Sequence, residues 1–448
     1  MASSAPLLPS AFSGRTCEAD ESPVSIKATP SHVGSAFLFG ATANVVLAVL
    51  GAGQLTLPYA MRELGWVFGL ATFALFTLLT VHSLHTLSVL SLHFTPRPTD
   101  CINSYSEHVV RVLGIPGQHI CTGLLALYAW GGALSFLVIL RDELGFLGRR
   151  AGLPASCGPV LMIVCACLII WPLSSLKDVS RLKKVSPMGC CAAIFIVAVV
   201  LTCVTWNADE PFGMESCVGP VGISGELEGA GELQRWPRSF MAIAASVPLL
   251  SFALNASWAY VPVLCTLQAR SPARAALLIG GAMSVIVVNY LLISVYGYAT
   301  FCDLTSPNIL DSLGRWVADT SFRGLMVLLA KLMLSVQLTL ALPMRFFVTR
   351  RSLLGDAMGP VQRWLASGVF VAAAAALATL PLQLNMVMGI TSSICASMII
   401  YILPSFIDLK LQLPGFARKV LSAVSLPIGC FVLVAGTVAN LMGVAVGS

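Results

Sequence analysis

From Ser35 to the C-terminus, apolar stretches of about 20 residues follow one another with short polar interruptions, and that recurrence decides the fold class. A helix of this length crosses a hydrocarbon core of about 30 Å. Eleven such stretches fall near 35–61, 65–92, 119–140, 156–175, 187–206, 238–266, 273–300, 322–348, 364–384, 386–407 and 419–445. Only 10% of the 448 residues are charged and 57% are apolar, against about 25% and roughly 45–50% in soluble chains. There are too few charges to coat a water-soluble domain, which excludes a cytosolic enzyme. Disordered, collagenous and disulfide-rich secreted classes are excluded by the long apolar runs that recur from Ser35 onward. The reading is an all-α polytopic membrane protein, with no nucleic-acid partner implied by the formal net charge of +6.

Residues 1–34 are rich in Ser, Pro and Ala and lack a continuous apolar core, so they read as a disordered cytoplasmic tail and not as a signal peptide. With the N-terminus inside, 17 of the 26 Lys and Arg residues lie in inside segments, 8 lie outside, and Lys331 falls within a span. That bias places the N-terminus in the cytoplasm and, after an odd number of crossings, the C-terminus outside or in a lumen. The acidic segment from Asn207 to Arg238 then also lies outside.

Two spans contain residues that a continuous helix would not choose. In FLFGATANVVLAVL-GAGQLTLP-YAM, Gly51 and Gly53 uncover the backbone and Pro58 lacks an N–H, so an interruption is expected near Gly51 to Gln54. In the sixth span, Pro248 and Pro262 bracket a polar patch of Ser251, Asn255 and Ser257. Freed backbone groups at membrane depth must be buried in protein or line a cavity. Helix ends meeting at the midplane offer N–H groups to an anion and carbonyls to a cation, and a zwitterionic amino acid needs both. The first and sixth spans also hold matching places in two five-helix halves, about 35–206 and 238–407, as an inverted repeat would have them.

With these pieces in place the chain resembles the amino acid/auxin permease family, part of the amino acid-polyamine-organocation superfamily with its LeuT-type fold. The resemblance is carried by NVVLAVLGAGQLTLPYAM and the following LGW, SYSEHVVRVLG, WPLSSLKDVSRLKKVS, SFALNASWAYVPVL, YGYATFCDLTSPNIL, ALPMR and NMVMGITSSICASMIIYILPSF, in that order. It implies a 5+5 inverted repeat plus one extra helix, spanning residues 35–448, and a secondary amino-acid transporter driven by a proton or sodium gradient. By motif position the backbone of Gly51, Ala52 and Gly53 receives the substrate carboxylate, with Gln54 and Thr56 nearby. The stretch from Ser251 through Phe252 to Leu254 faces the amino group and side chain, joined by Asn255 and Ser257. Sodium-coupled relatives carry an Asn four residues before the first glycine, where this chain has Leu47; Asn44 lies one turn deeper. Many members carry His in the sixth span where Ser257 stands here. Leu47 therefore points to protons, with sodium symport as the alternative.

Lys331 is read as the one basic residue well inside a span, with Ser335 on the same face. Two roles stay open: an ammonium replacing sodium between the first and eighth spans, or a long side chain snorkelling to the interface. His82 and His85 share a face and could relay protons. Asn44, Gln337 and Asn289 could equally serve as interhelical hydrogen-bond donors. Tyr105 to Leu113 reads as an interfacial helix. Cys217 and Cys302 fall outside, where a disulfide could form, with Cys157 a third candidate.

No P-loop, zinc-protease or nucleophile-elbow motif and no metal-type CxxC occurs, so neither an ATP-driven pump nor a metal or cofactor is expected. The expectation is a monomer in lipid, moving neutral amino acids, because no acidic side chain near either break would hold a cationic one. The helix set 1, 2, 6 and 7 would rock against 3, 4, 8 and 9. A non-transporting amino-acid sensor is the rival class; the membrane is the plasma membrane or that of a vacuole or lysosome.

Overall fold

The computed structural model describes residues 37–94, 104–154, 156–177, 186–205, 233–267, 270–314, 322–355, 357–412 and 415–447. The expected N-terminal tail lies outside them. All regular structure among these residues is helical. Among the described residues, nine helices are long and apolar enough to cross a membrane, or ten if one bent pair counts as a span. A further apolar helix, α6 (Ser186–Thr205), stands between them.

The bent pair is α1 (Leu38–Val49) and α2 (Leu57–Leu64), joined by a 3₁₀ turn at Ala52–Thr56. The two parts meet at 49°. Pro58 sits in the first turn of α2, where a missing N–H costs nothing, so the break belongs to the glycines just before it. Gly65 ends α2 with φ +73°, and a Cβ there would lie 2.6 Å from the nitrogen of Trp236. Only glycine fits this turn. α3 (Trp66–Phe94) follows.

α4 (Tyr105–Arg150) bends at Gly114, φ 72°, just before Pro116. That bend separates the expected interfacial segment from the third span. α5 spans Cys157–Ser174. The sixth span is two helices, α7 (Phe240–Leu254) and α8 (Ser257–Thr266), parted at Asn255 and Ala256. The break thus falls inside the bracketed polar patch, while Pro248 and Pro262 are each carried within a helix.

α9 (Pro272–Phe301), the short α10 (Ile309–Leu313), α11 (Phe322–Leu354) and α12 (Pro360–Thr379) come next. α13 (Leu384–Leu411) and α14 (Phe416–Gly443) complete the chain. α11 runs through Pro343 and ends later than the sequence suggests, which draws Arg345 inside the bundle.

Two sets of helices pack closely within themselves: α4, α5, α11 and α12 in one, and α1, α2, α3, α7 and α9 in the other. α6 touches both, and so does α13. α14 rests on α7 and α13: a Cβ on Gly436 would lie 2.8 Å from Pro248 Cγ, and Asn440 Nδ2 donates to the Ala245 carbonyl at 3.3 Å. Its other side exposes Val434, Val438, Leu441 and Met442.

Candidate functional site

The two breaks meet in the interior. A Cβ on Gly53 would lie 3.1 Å from Ala253 Cα and 3.4 Å from the Phe252 ring, so the glycine lets the 3₁₀ turn press against α7. Ala52, Gln54 and Thr56 are buried, as are Ser251, Phe252, Asn255 and Ser257. The expected substrate set, from Gly51 to Thr56 and from Ser251 to Ser257, is therefore brought to one place.

Tyrosines from other helices take up two carbonyls at the breaks. Tyr290 OH donates to the Val49 carbonyl at 2.9 Å, and Tyr128 OH donates to that of Phe252 at 3.2 Å. Gln54 Nε2 reaches the Ala193 carbonyl at 3.4 Å, Thr56 Oγ1 donates to that of Gly53 at 3.1 Å, and Tyr401 OH donates to Ser251 Oγ at 3.3 Å. Asn255 Oδ1 accepts from the Ser257 amide at 3.3 Å. Gln54 Oε1 and Ser257 Oγ are buried and make no hydrogen bond within the protein. Buried polar atoms are seldom left so, and each break holds at least one.

The expected ion-coupling residues are not brought together. Lys331 is 1% exposed, and its ammonium donates to Glu143 Oε2 at 2.8 Å. Asp311 Oδ1 lies 3.6 Å away, and the Phe146 ring centroid 4.6 Å. Glu143 also accepts from Asn308 Nδ2 at 3.1 Å, so the pair ties α10 to α4 and α11. Ser335 spends its hydroxyl on the Lys331 carbonyl at 2.9 Å.

Gly51 faces Phe136 of α4 across 4.0 Å from its Cβ position. Glu143 lies two turns beyond Phe136 on α4, and Asn44 two turns before Gly51 on α1. Lys331 and Asn44 are thus separated by about 20 Å along the bundle at 1.5 Å per residue. Asn44 is exposed and Leu47 half-buried. Glu143 went unrecognised in the sequence because it follows the apolar stretch that ends at residue 140; its buried contact with Lys331 could be found only in three dimensions.

Basic residues near the ends of spans are also held. Arg62 donates to the carbonyls of Thr305 at 2.9 Å and Asp303 at 3.3 Å, and Arg238 pairs with the Asp303 carboxylate. Between α3, α13 and α14, Arg418 Nε meets Asp408 Oδ1 at 2.7 Å. Ser422 Oγ donates to Asp408 Oδ2 at 2.7 Å and lies 3.0 Å from His82 Nε2. His82 joins this cluster, and His85 on the same helix is exposed.

Cys302 is disulfide-bonded. Cys217, its expected partner, lies outside the described residues, and Cys157 is free. A groove of about 500 Å³ lined by Trp171 and Trp364 lies between α5 and α12, away from the breaks, and is almost wholly apolar.

A family model described as "Transmembrane amino acid transporter protein" matches residues 35–446. The chain is 24% identical over 419 residues to the rat protein named "Putative sodium-coupled neutral amino acid transporter 11", covering 91% of this chain and 85% of that one. It is also 23% identical over 433 residues to "Vacuolar amino acid transporter 5" of Schizosaccharomyces pombe, covering 94% and 96%.

Proposed function

The chain belongs to the transmembrane amino acid transporter family, and from that premise we propose that it is a secondary transporter carrying amino acids by alternating access, coupled to protons. The substrate binds where the breaks of α1/α2 and α7/α8 meet. Its carboxylate faces the amides of Gly51 to Gly53, and its ammonium faces carbonyls from Ser251 to Leu254. The observation that carries this reading is the approach of Gly53 to Ala253 beside two unsatisfied buried polar atoms.

The architecture proposed is eleven crossings in a LeuT-type 5+5 repeat plus α14. The bent first span, the broken sixth and the two packing sets support it. The set holding α1, α2, α3, α7 and α9 would rock against the set holding α4, α5, α11 and α12. The N-terminus is cytoplasmic and the C-terminus extracellular or lumenal, by the distribution of Lys and Arg. On that orientation the Glu143–Lys331–Asp311 group lies near the outer face. The membrane is the plasma membrane or that of a vacuole or lysosome; the yeast relative's name favours the latter pair.

No carboxylate lies among the described residues around the breaks, which argues against cationic substrates and leaves neutral and anionic side chains. Proton coupling rests on the apolar Leu47 and on the buried Lys331, which Glu143 holds at 2.8 Å. Sodium coupling is the second reading, favoured by the name of the rat relative.

Uptake of a panel of labelled amino acids into proteoliposomes, with proton and sodium gradients imposed separately, tests this. Saturable uptake driven by the proton gradient alone is expected. A sodium requirement would overturn the coupling, and saturable binding without flux would make the protein a sensor.

A further inference from the structure

Among the described residues, the deeply placed cations are accounted for with one exception. Lys331 meets Glu143, Arg418 meets Asp408, and Arg350 donates to the Ser174 carbonyl at 2.8 Å and to Ser367 Oγ at 2.9 Å. Arg345 has none of this: its side chain makes no hydrogen bond and has no carboxylate within ion-pair distance among the described residues. The guanidinium carbon lies 4.1 Å from the centroid of the Phe136 ring, with the Tyr128 phenol close enough to interact electrostatically. A guanidinium keeps its charge at any working pH and carries five N–H donors. A ring face answers part of the charge and none of those donors. Such a group at membrane depth is expected to have a partner.

Its position says which partner. The α11 helix runs on to Leu354, so Arg345 lies against the middle of α4. A Cβ on Gly132 would collide with Arg345 Nη1, and the Phe252 ring tip lies 3.7 Å from that same point. The bare α4 backbone at Gly132 is what admits the guanidinium. One turn further along α4 the tip of Phe136 faces Gly51. Arg345 therefore stands between the two breaks, displaced by one helical turn from the glycines. Gly132, Phe136 and Phe252 are all buried, whereas Ala341, Met344, Arg345 and Val348, one stripe of α11, keep some accessible surface. The guanidinium is reachable from one side.

We propose that Arg345 binds a carboxylate on the substrate's side chain, making this a transporter that prefers amino acids with an anionic side chain, aspartate and glutamate. This rests on the site reading above, in which the α-carboxylate occupies the glycine break and the α-ammonium the α7 carbonyls. With both ends of the zwitterion satisfied there, the charge left on the protein is the single positive charge of Arg345. A neutral side chain leaves that charge unanswered; an anionic one pairs with it through the two-pronged geometry that arginine offers a carboxylate. A site built around a charged partner strongly rejects the isostere that lacks it, so glutamine is the discriminating competitor of glutamate.

The test is uptake of labelled glutamate, aspartate, glutamine, alanine and lysine by the full chain in proteoliposomes, for the wild type, Arg345→Gln and Arg345→Lys. In the wild type, glutamate or aspartate is expected to exceed glutamine by about tenfold or more. Arg345→Gln should collapse that ratio toward one while glutamine uptake persists, and Arg345→Lys should fall between. If Arg345→Gln does not yield folded protein, the wild type alone decides: thermal stabilisation in detergent should be larger with glutamate than with equal glutamine. Three outcomes overturn the proposal. Equal preference for neutral substrates with an unchanged ratio in Arg345→Gln removes it while leaving the transporter reading intact. Equal loss of acidic and neutral uptake in that variant makes Arg345 a ligand of the α-carboxylate instead. Failure of every amino acid to move removes both readings.

Discussion

Lys331 and Glu143 meet at 2.8 Å with side chains 1% and 0% exposed, joining α11 to α4 at a depth where neither charge reaches water. Asp311 stands 3.6 Å from the same ammonium, and Asn308 donates to the same carboxylate at 3.1 Å. The α10 segment is thereby fastened across one end of the bundle by two contacts to a single buried pair.

Removing one partner of such a pair strands the other. Lys331→Met is expected to cost about 3–5 kcal/mol, and the double variant Lys331→Met with Glu143→Leu to recover most of it. Thermal unfolding of the purified protein reads the order, with the double variant close to the wild type and either single one well below. A single variant as stable as the wild type would show the pair to be hydrated in the membrane. Should Lys331→Met transport normally, with unchanged dependence on pH and sodium, the pair has no part in coupling.

Gly53 lets the two breaks touch, so Gly53→Val should drive a branched side chain into Ala253, whose Cα is 3.1 Å from the Cβ position. Uptake is expected to fall by about tenfold or more through misplacement of the site, with the protein still folded. Gly280→Ala, where nothing lies within 4 Å, is the matched control and should leave uptake unchanged.

Tyr128→Phe and Tyr290→Phe each delete one hydrogen bond to a carbonyl at a break, to Phe252 and Val49 respectively. Each should cost roughly 1 kcal/mol in stability. Tyr128→Phe also loosens the Phe252 carbonyl beside the proposed substrate position, so its KM should rise more than that of Tyr290→Phe. Identical kinetics in the two variants would count against a substrate position next to Phe252.

Cys302 is disulfide-bonded, and Cys217 is the partner that the sequence reading proposes. Peptide mapping of unreduced protein should recover Cys217 linked to Cys302, and Cys302→Ser should release one titratable thiol. A linkage from Cys302 to any other cysteine would refute the pairing.

What the sequence disclosed depended on whether a residue announced itself locally. The break at Gly51 to Gln54 was legible because glycines withdraw side-chain cover, and that in the sixth span because Ser251, Asn255 and Ser257 interrupt an apolar run. Lys331 stood out as a charge among leucines, yet its counterion did not, since Glu143 belongs to another helix and follows the apolar stretch of its own. Arg345 did not stand out, because it falls three residues before the end of the stretch read at 322–348. The helix carries Pro343 within it, and only the contact with Gly132 reveals the depth. Pairwise tertiary contacts of this kind leave no periodic signal along the chain.

The last helix adds a constraint from outside the site. Gly436 lies against Pro248 and Asn440 holds the Ala245 carbonyl, so α14 grips the first half of the broken sixth span while its far side exposes an apolar face suited to lipid. Any tilt of α7 during a transport cycle must then displace lipid as well as protein. Turnover in this molecule is accordingly expected to vary with bilayer thickness and lateral pressure, even though the substrate itself never meets the lipid.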